Sequence, residues 1–185
     1  PVPLVDLRVV DAEMRDVPQD GSATGEIVAR APWLTQGYLK NPDASAQLWA
    51  GGYLHTNDIG KIDEQGYVAI TDRIKDVIKT GGEWVSSIEL EDIIAQHPAV
   101  SEVAVIAAKD ARWGERPIAL VVAKTDRAGE VTGEAIKRHV AAYVERGIIS
   151  KYAVPERVIV VEALQRTSVG KLDKKTMRER YAVEA

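Results

Sequence analysis

Two runs of β-branched and small apolar residues, VSEVAVIAA (100–108) and RPIALVVAK (116–124), are joined by KDARWGE and bracketed by stretches of helical period. Before them, Ser86 and Glu89 form an S-x-x-E capping box, and Leu90, Ile93, Ile94 and His97 follow at i, i+3, i+4 and i+7 until Pro98 stops the helix. After them, Ile136, Val140, Tyr143 and Val144 mark a second amphipathic helix ending at Gly147, and ERVIVVEAL (156–164) supplies a third long strand. The order helix, strand, strand, helix, strand predicts an α+β layer in which two helices cover a three-stranded antiparallel sheet. Just upstream, IKDVIKTGGEWVSS (74–87) reads as two short strands around a Gly-Gly turn.

The first 73 residues follow a different pattern. LVDLRVVD, EIVARA and GGYLHTNDIGKIDEQGYVAITD are strand-like segments split by Gly, Pro, Asp and Ser, the signature of a small β-rich subdomain. We therefore expect a β subdomain over residues 1–73 and an α+β domain over 74–185, with the boundary near Arg73 to Lys75. The chain has no initiating Met and enters a strand almost at once, so it reads as part of a longer protein.

With 45% hydrophobic and 28% charged residues, the chain has the balance of a protein that folds in water. No apolar run approaches the ~18–20 residues needed to cross a bilayer, and the first residues lack the pattern of a signal peptide. The absence of cysteine excludes disulfides, thiolate zinc sites and an enzyme-bound thioester, and suits a cytoplasmic location. His55, His97 and His139 are far apart, with no carboxylate or cysteine at ligand spacing, so no protein-built metal site is expected.

Charge is unevenly spread. Residues 1–73 hold 6 basic and 11 acidic side chains, whereas 74–185 hold 18 and 17. Arg166, Lys171, Lys174, Lys175, Arg178 and Arg180 face only Asp173 and Glu179 in the last stretch, which favours a bound polyphosphate or leaves a solvated basic tail. Aromatic residues are not interleaved with these charges and the net charge is −4, so nucleic-acid binding is disfavoured.

Three motifs, YLHTNDIG, TDRIKDVIKTGGEWVSSIELE and RTSVGKLDKK, occur in an order and at a spacing that resemble the adenylate-forming superfamily of acyl-CoA synthetases, luciferases and nonribosomal adenylation domains. KTGGEWVSSIELE is most similar to the medium- and long-chain fatty acyl-CoA synthetases. The resemblance implies that residues 1–73 are the last β subdomain of a large N-terminal AMP-binding domain, and that 74–185 form its mobile C-terminal domain. It also implies two reactions: a fatty acid carboxylate attacks the α-phosphate of ATP, carried with Mg²⁺, to give acyl-AMP and pyrophosphate, and the CoA thiol then attacks the acyl carbon.

The resemblance assigns roles residue by residue. Lys171, behind the small and flexible run TSVG, matches the lysine that meets the charge gathering on the α-phosphate, a task suited to a compact ammonium on a long stem. Asp58 matches the aspartate that accepts hydrogen bonds from both ribose hydroxyls, although Asn57 stands where the family has glycine; asparagine tolerates unusual backbone angles. Arg73 matches an arginine at ribose or phosphate, the alternative being an ion pair with Asp72 or Asp76. Lys75 falls at the hinge. Gly81 and Gly82 match the turn that lines the tunnel for the pantetheine arm of CoA, or are simply a hairpin turn. Trp84 is expected in the core rather than beside that tunnel, and Arg112 and Arg116 are candidates for CoA phosphates. On this reading the chain lacks the phosphate loop, adenine site and acyl pocket, and is inactive by itself. The alternative is a stand-alone module of the same fold that binds a nucleotide, CoA or a protein without catalysis.

Overall fold

The computed structural model describes residues 2–182, and the chain divides into two compact units, Pro1–Lys75 and Asp76–Ala185. In the first unit, β1 (Asp6–Val10), β2 (Gly25–Arg30), β3 (Leu54–Ile62) and β4 (Val68–Arg73) form an antiparallel sheet in sequential order. Its small core joins Val9, Ile27 and Ile62 to Leu7, Val17 and Val68. A short helix absent from the sequence reading, α1 (Pro42–Leu48), interrupts the sheet between β2 and β3. Asn41 caps it, its side chain accepting from the Ala44 N–H, and Pro42 opens it with a preset φ.

The second unit contains β5 (Ile78–Thr80), β6 (Glu83–Val85), α2 (Ser87–Ala95), β7 (Val100–Asp110), β8 (Gly114–Ala123), α3 (Gly133–Glu145), β9 (Arg157–Val160) and α4 (Lys174–Tyr181). The Ser86 side chain accepts the Glu89 N–H at 3.1 Å, which starts α2 where the capping motif placed it. Thr132 does the same for α3, and Gly147 follows that helix with φ +69°.

The sheet is neither three-stranded nor wholly antiparallel. It has five strands in the order β6-β5-β8-β7, and β9 runs parallel to β8 from Ile118↔Arg157 to Val121↔Val160. The parallel pairing follows from α3, which carries the chain over the sheet before β9 and so returns it in the direction of β8.

Both faces of this sheet are covered, by different helices. Val103, Val105, Ala119 and Val121 pack with Leu90, Ile93 and Ile94 of α2 and Ile136 and Val140 of α3. Their alternating neighbours Ala104, Ile106, Ile118 and Leu120 pack with Leu164 and with Met177 of α4. Residues 103–106 and 118–121 are thus buried on every side chain, the pattern of a strand with no solvent face.

Candidate functional site

In the first unit, β3 bulges before Asp58. His55 pairs with Val28 and Ile59 with Glu26, so three residues of β3 stand against Ile27 alone. Asn57 takes φ +60° there, the left-handed conformation that glycine adopts freely and asparagine better than most residues. The Thr56 hydroxyl donates to the Ile27 carbonyl at 2.7 Å and accepts the Asp58 N–H at 3.1 Å, and the Ile74 N–H donates to the Asn57 carbonyl at 3.0 Å.

Asp58 lies directly across from Arg73 on β4, with Arg73 Nε 3.3 Å from Asp58 Oδ1. The structure therefore brings two sequence-predicted residues together. The Asp72 carboxylate accepts the Arg73 backbone N–H at 2.7 Å, and Asp76 pairs with Arg178 at 2.8 Å. The Asp58 side chain is 28% exposed and that of Arg73 59%, so both remain open to a ligand. Lys75 is exposed in the turn that ends this unit.

In the second unit, Gly81 and Gly82 form the β5–β6 turn with φ +60° and +83°. The Gly81 N–H donates to the Trp113 carbonyl at 3.0 Å, and Thr80 pairs with Gly114, which fixes this turn to the β7–β8 connection. That connection is itself capped by Asp110, whose carboxyl lies below its ordinary range because it accepts the N–H groups of Trp113 and Arg112. A methyl group on Gly81 would stand 3.0 Å from the Tyr152 ring, which packs against Trp113 with centroids 5.4 Å apart; a methyl group on Gly82 would meet open space. Trp84 is 44% exposed and carries the Lys79 ammonium over its ring at 5.6 Å, which corrects the expectation of a core position: β6 is an edge strand, and Val85 supplies its buried side chain.

Lys171 closes a hairpin. The Gly170 N–H donates to the Thr167 carbonyl and the Thr167 N–H to the Lys171 carbonyl, while Arg166 bridges to Leu172 and the Asp173 N–H donates to the Gln165 carbonyl. Gly170, at φ +81°, supplies the left-handed residue such a turn needs. The run is therefore ordered by its own backbone. Arg166 holds it to the start of β7 through Glu102 at 2.8 Å. The Lys171 side chain is exposed and makes no ion pair with a described residue.

The surrounding basic residues are mostly paired within the fold, neither gathered as one anion site nor left as a solvated tail. Lys174 Nζ lies 2.6 Å from Glu91 Oε1 and donates to the Ser87 hydroxyl, and Arg178 pairs with Asp76. Sequence reasoning missed α4 because its charges were read as a tail. Asp173, Met177 and Tyr181 carried the signal, an N-cap followed by two apolar residues one helical turn apart. Arg116 donates to the Val154 carbonyl and lies 3.4 Å from Glu156, with its Nε buried and unpartnered. Among the described residues there is no group of three metal-ligating side chains, and no helix is long and apolar enough to cross a membrane.

Comparison with known proteins gives a consistent result. Residues 89–171 match the family of the AMP-binding enzyme C-terminal domain. The chain is 43% identical over 182 residues to a long-chain-fatty-acid–CoA ligase of Thermus thermophilus, covering 98% of this chain and 32% of that protein. It is 39% identical to a 3-methylmercaptopropionyl-CoA ligase of Ruegeria pomeroyi, covering 96% and 31%. Among solved structures it resembles ATP-bound MatB from Rhodopseudomonas palustris, with a TM-score of 0.84 and 32% identity over 97% of this chain and 34% of that one. The chain thus spans about a third of the length of the curated relatives it matches.

Proposed function

Because the chain belongs to the adenylate-forming enzymes, we propose that it is the C-terminal portion of a cytoplasmic, ATP-dependent fatty acyl-CoA ligase, its first 73 residues completing a large AMP-binding domain and residues 74–185 forming a lid. Asp58 accepts the ribose hydroxyls of ATP, with Arg73 beside it to meet ribose or phosphate. Lys171 offsets the negative charge that builds as the carboxylate oxygen bonds to the α-phosphorus and pyrophosphate leaves. The Gly81–Gly82 turn then lines the path by which the CoA thiol reaches the acyl carbon, and AMP departs. Lys75 is the hinge, and Mg²⁺ arrives with ATP.

The observation that carries this reading lies within the second unit. The Lys171 hairpin is tied to Glu102 at the start of β7, and the Gly81–Gly82 turn is tied to Trp113, just beyond its end at Asp110. Eight residue steps separate Glu102 from Asp110, about 26 Å at a rise of ~3.3 Å each. Anchors so far apart on one strand favour use of the two elements in different steps. Successive use, with the lid turning between reactions, accounts for both.

The relatives named above act on different acids, a long-chain fatty acid and 3-methylmercaptopropionate, at nearly equal identity to this chain. This supports a role for this third of the enzyme in the chemistry common to both rather than in acid selection. In the intact ligase, Lys171→Ala is expected to lower acyl-adenylate formation ~10²–10⁴-fold, as removal of a preorganised charge does, while thioester formation from supplied acyl-adenylate persists. Equal loss in both half-reactions would refute the division of labour.

A further inference from the structure

We propose that Glu26 is a positioning residue of the nucleotide site, holding Asn57 in its left-handed bulge so that Asp58 is aimed at ribose, with His55 fixing Glu26 in turn. The inference rests on the ribose role given above to Asp58.

The bulge takes the Asn57 N–H out of the β2–β3 ladder, and Glu26 Oε1 accepts it at 3.1 Å. The other carboxylate oxygen, Oε2, lies 2.8 Å from His55 Nδ1, and His55 Nε2 lies 3.1 Å from the Ala50 carbonyl. The side chains are 14% exposed for Glu26 and 19% for His55, and they line a cavity of about 410 Å³ shared with Tyr38, Gln47 and Asn57. A carboxylate this sheltered is kept where its acceptors are used.

The purpose of the arrangement follows from the backbone. Asparagine in the left-handed region is less favourable than glycine, and a bulge of three residues in β3 against one in β2 has other ways to close. Any closure that returned Asn57 to an extended conformation would turn Asp58 away from Arg73. Glu26 prevents it by binding an N–H that is presented only in the observed conformation. Thr56 does the complementary work from inside the bulge, bonding the Ile27 carbonyl and the Asp58 N–H.

The test uses a suppressor. In the intact ligase, Glu26→Ala should raise the KM for ATP about tenfold, the effect of one hydrogen bond to a charged group, with the KM for the acid unchanged. Glu26→Gln, which keeps an oxygen for the Asn57 N–H, should restore most of it. Asn57→Gly should suppress Glu26→Ala, because glycine holds φ +60° unaided; a merely structural role for Glu26 would not respond to that change. Should Glu26→Ala fail to fold, Glu26→Asp withdraws the acceptor by one methylene and reads the same. In the 185-residue chain, amide exchange at Asn57 should quicken in Glu26→Ala and be unchanged in Glu26→Gln. An unaltered Asn57 amide, or an ATP KM that rises without being suppressed by Asn57→Gly, overturns the inference. Asp58→Ala in the ligase separates the two readings: if it leaves the ATP KM unchanged, the ribose assignment fails, while the amide exchange still decides whether Glu26 holds the bulge.

Discussion

Adding a methyl group to each glycine of the β5–β6 turn in separate variants distinguishes a turn that merely needs positive φ from one built against an aromatic wall. Both glycines lie in the left-handed region, so alanine at either position costs about 1 kcal/mol of backbone strain. Only at Gly81 does the methyl group also stand 3.0 Å from Cε1 and Cζ of Tyr152, closer than carbon atoms normally approach. That ring is held by Trp113 and cannot retreat freely, which adds about another 1 kcal/mol, the low end for overpacking. Gly81→Ala should therefore destabilise the second unit about twice as much as Gly82→Ala, measured by urea titration read at the Trp113 indole resonance. In a Tyr152→Ala background the two costs should become equal. In the intact ligase, Gly81→Ala should slow thioester formation from supplied acyl-adenylate and leave adenylate formation intact. Equal destabilisation in the presence of Tyr152, or a Gly81→Ala cost that survives its removal, would refute the reasoning.

Lys174→Met should cost about 3 kcal/mol, as expected when one partner of a sheltered ion pair is removed, because Glu91 and the Ser87 hydroxyl lose their cation; urea titration of the second unit checks it. Asp20 accepts the N–H groups of Ala23 and Ser22, which lowers its carboxyl to about 2 from the usual 3.8. Its contribution is fully present above pH 3.8 and is lost as pH falls through about 2, so the difference in stability between the native chain and Asp20→Ala should vanish at that acid limit. His97 is pushed below its ordinary 6.5 first by burial and then by nearby His139, and its Nδ1 accepts the Ala99 N–H. The unfolded chain then binds the proton more readily, so stability is lost as pH falls from 6.5 through the lower folded value. NMR should show His97 titrating below 6.5, and His97→Gln should remove that acid sensitivity.

What the sequence made legible was local. The capping residues Ser86 and the Gly147 stop are short-range devices, and α2 and α3 begin and end by them. The Gly-Gly turn was equally readable because its two strands are adjacent in sequence. Partnerships across the sheets were not. Asp58 meets Arg73, and Glu26 meets Asn57, only because β3 slips register against both neighbours, and no local pattern reports a bulge. The basic end misled for a related reason: charge on a surface helix says nothing of acids contributed from far away. Glu91, Glu102 and Asp76 neutralise Lys174, Arg166 and Arg178 from positions 64 to 102 residues distant. The unbroken apolar runs 103–106 and 118–121 did contain the missing information, since a strand with no polar face requires a layer on each side, and α4 is the second layer.

The ion pair between Arg178 and Asp76 bears on how a change at Lys75 would reach Lys171. Asp76 follows Lys75 directly, and its carboxylate binds α4, whose first residue, Lys174, is anchored in α2. The hairpin that carries Lys171 runs into α4 through its cap at Asp173 and is held to β7 by Arg166. These ion pairs link residue 76 to the Lys171 hairpin through elements packed on the sheet. A rotation of the Lys75 dihedrals would move the hairpin as part of a rigid lobe, with Lys171 at one end of β7 and the glycine turn at the other. The backbone hydrogen bonds of residues 165–173 hold Lys171 in a fixed register within the second unit, so the lobe motion proposed at Lys75 would carry the lysine with it.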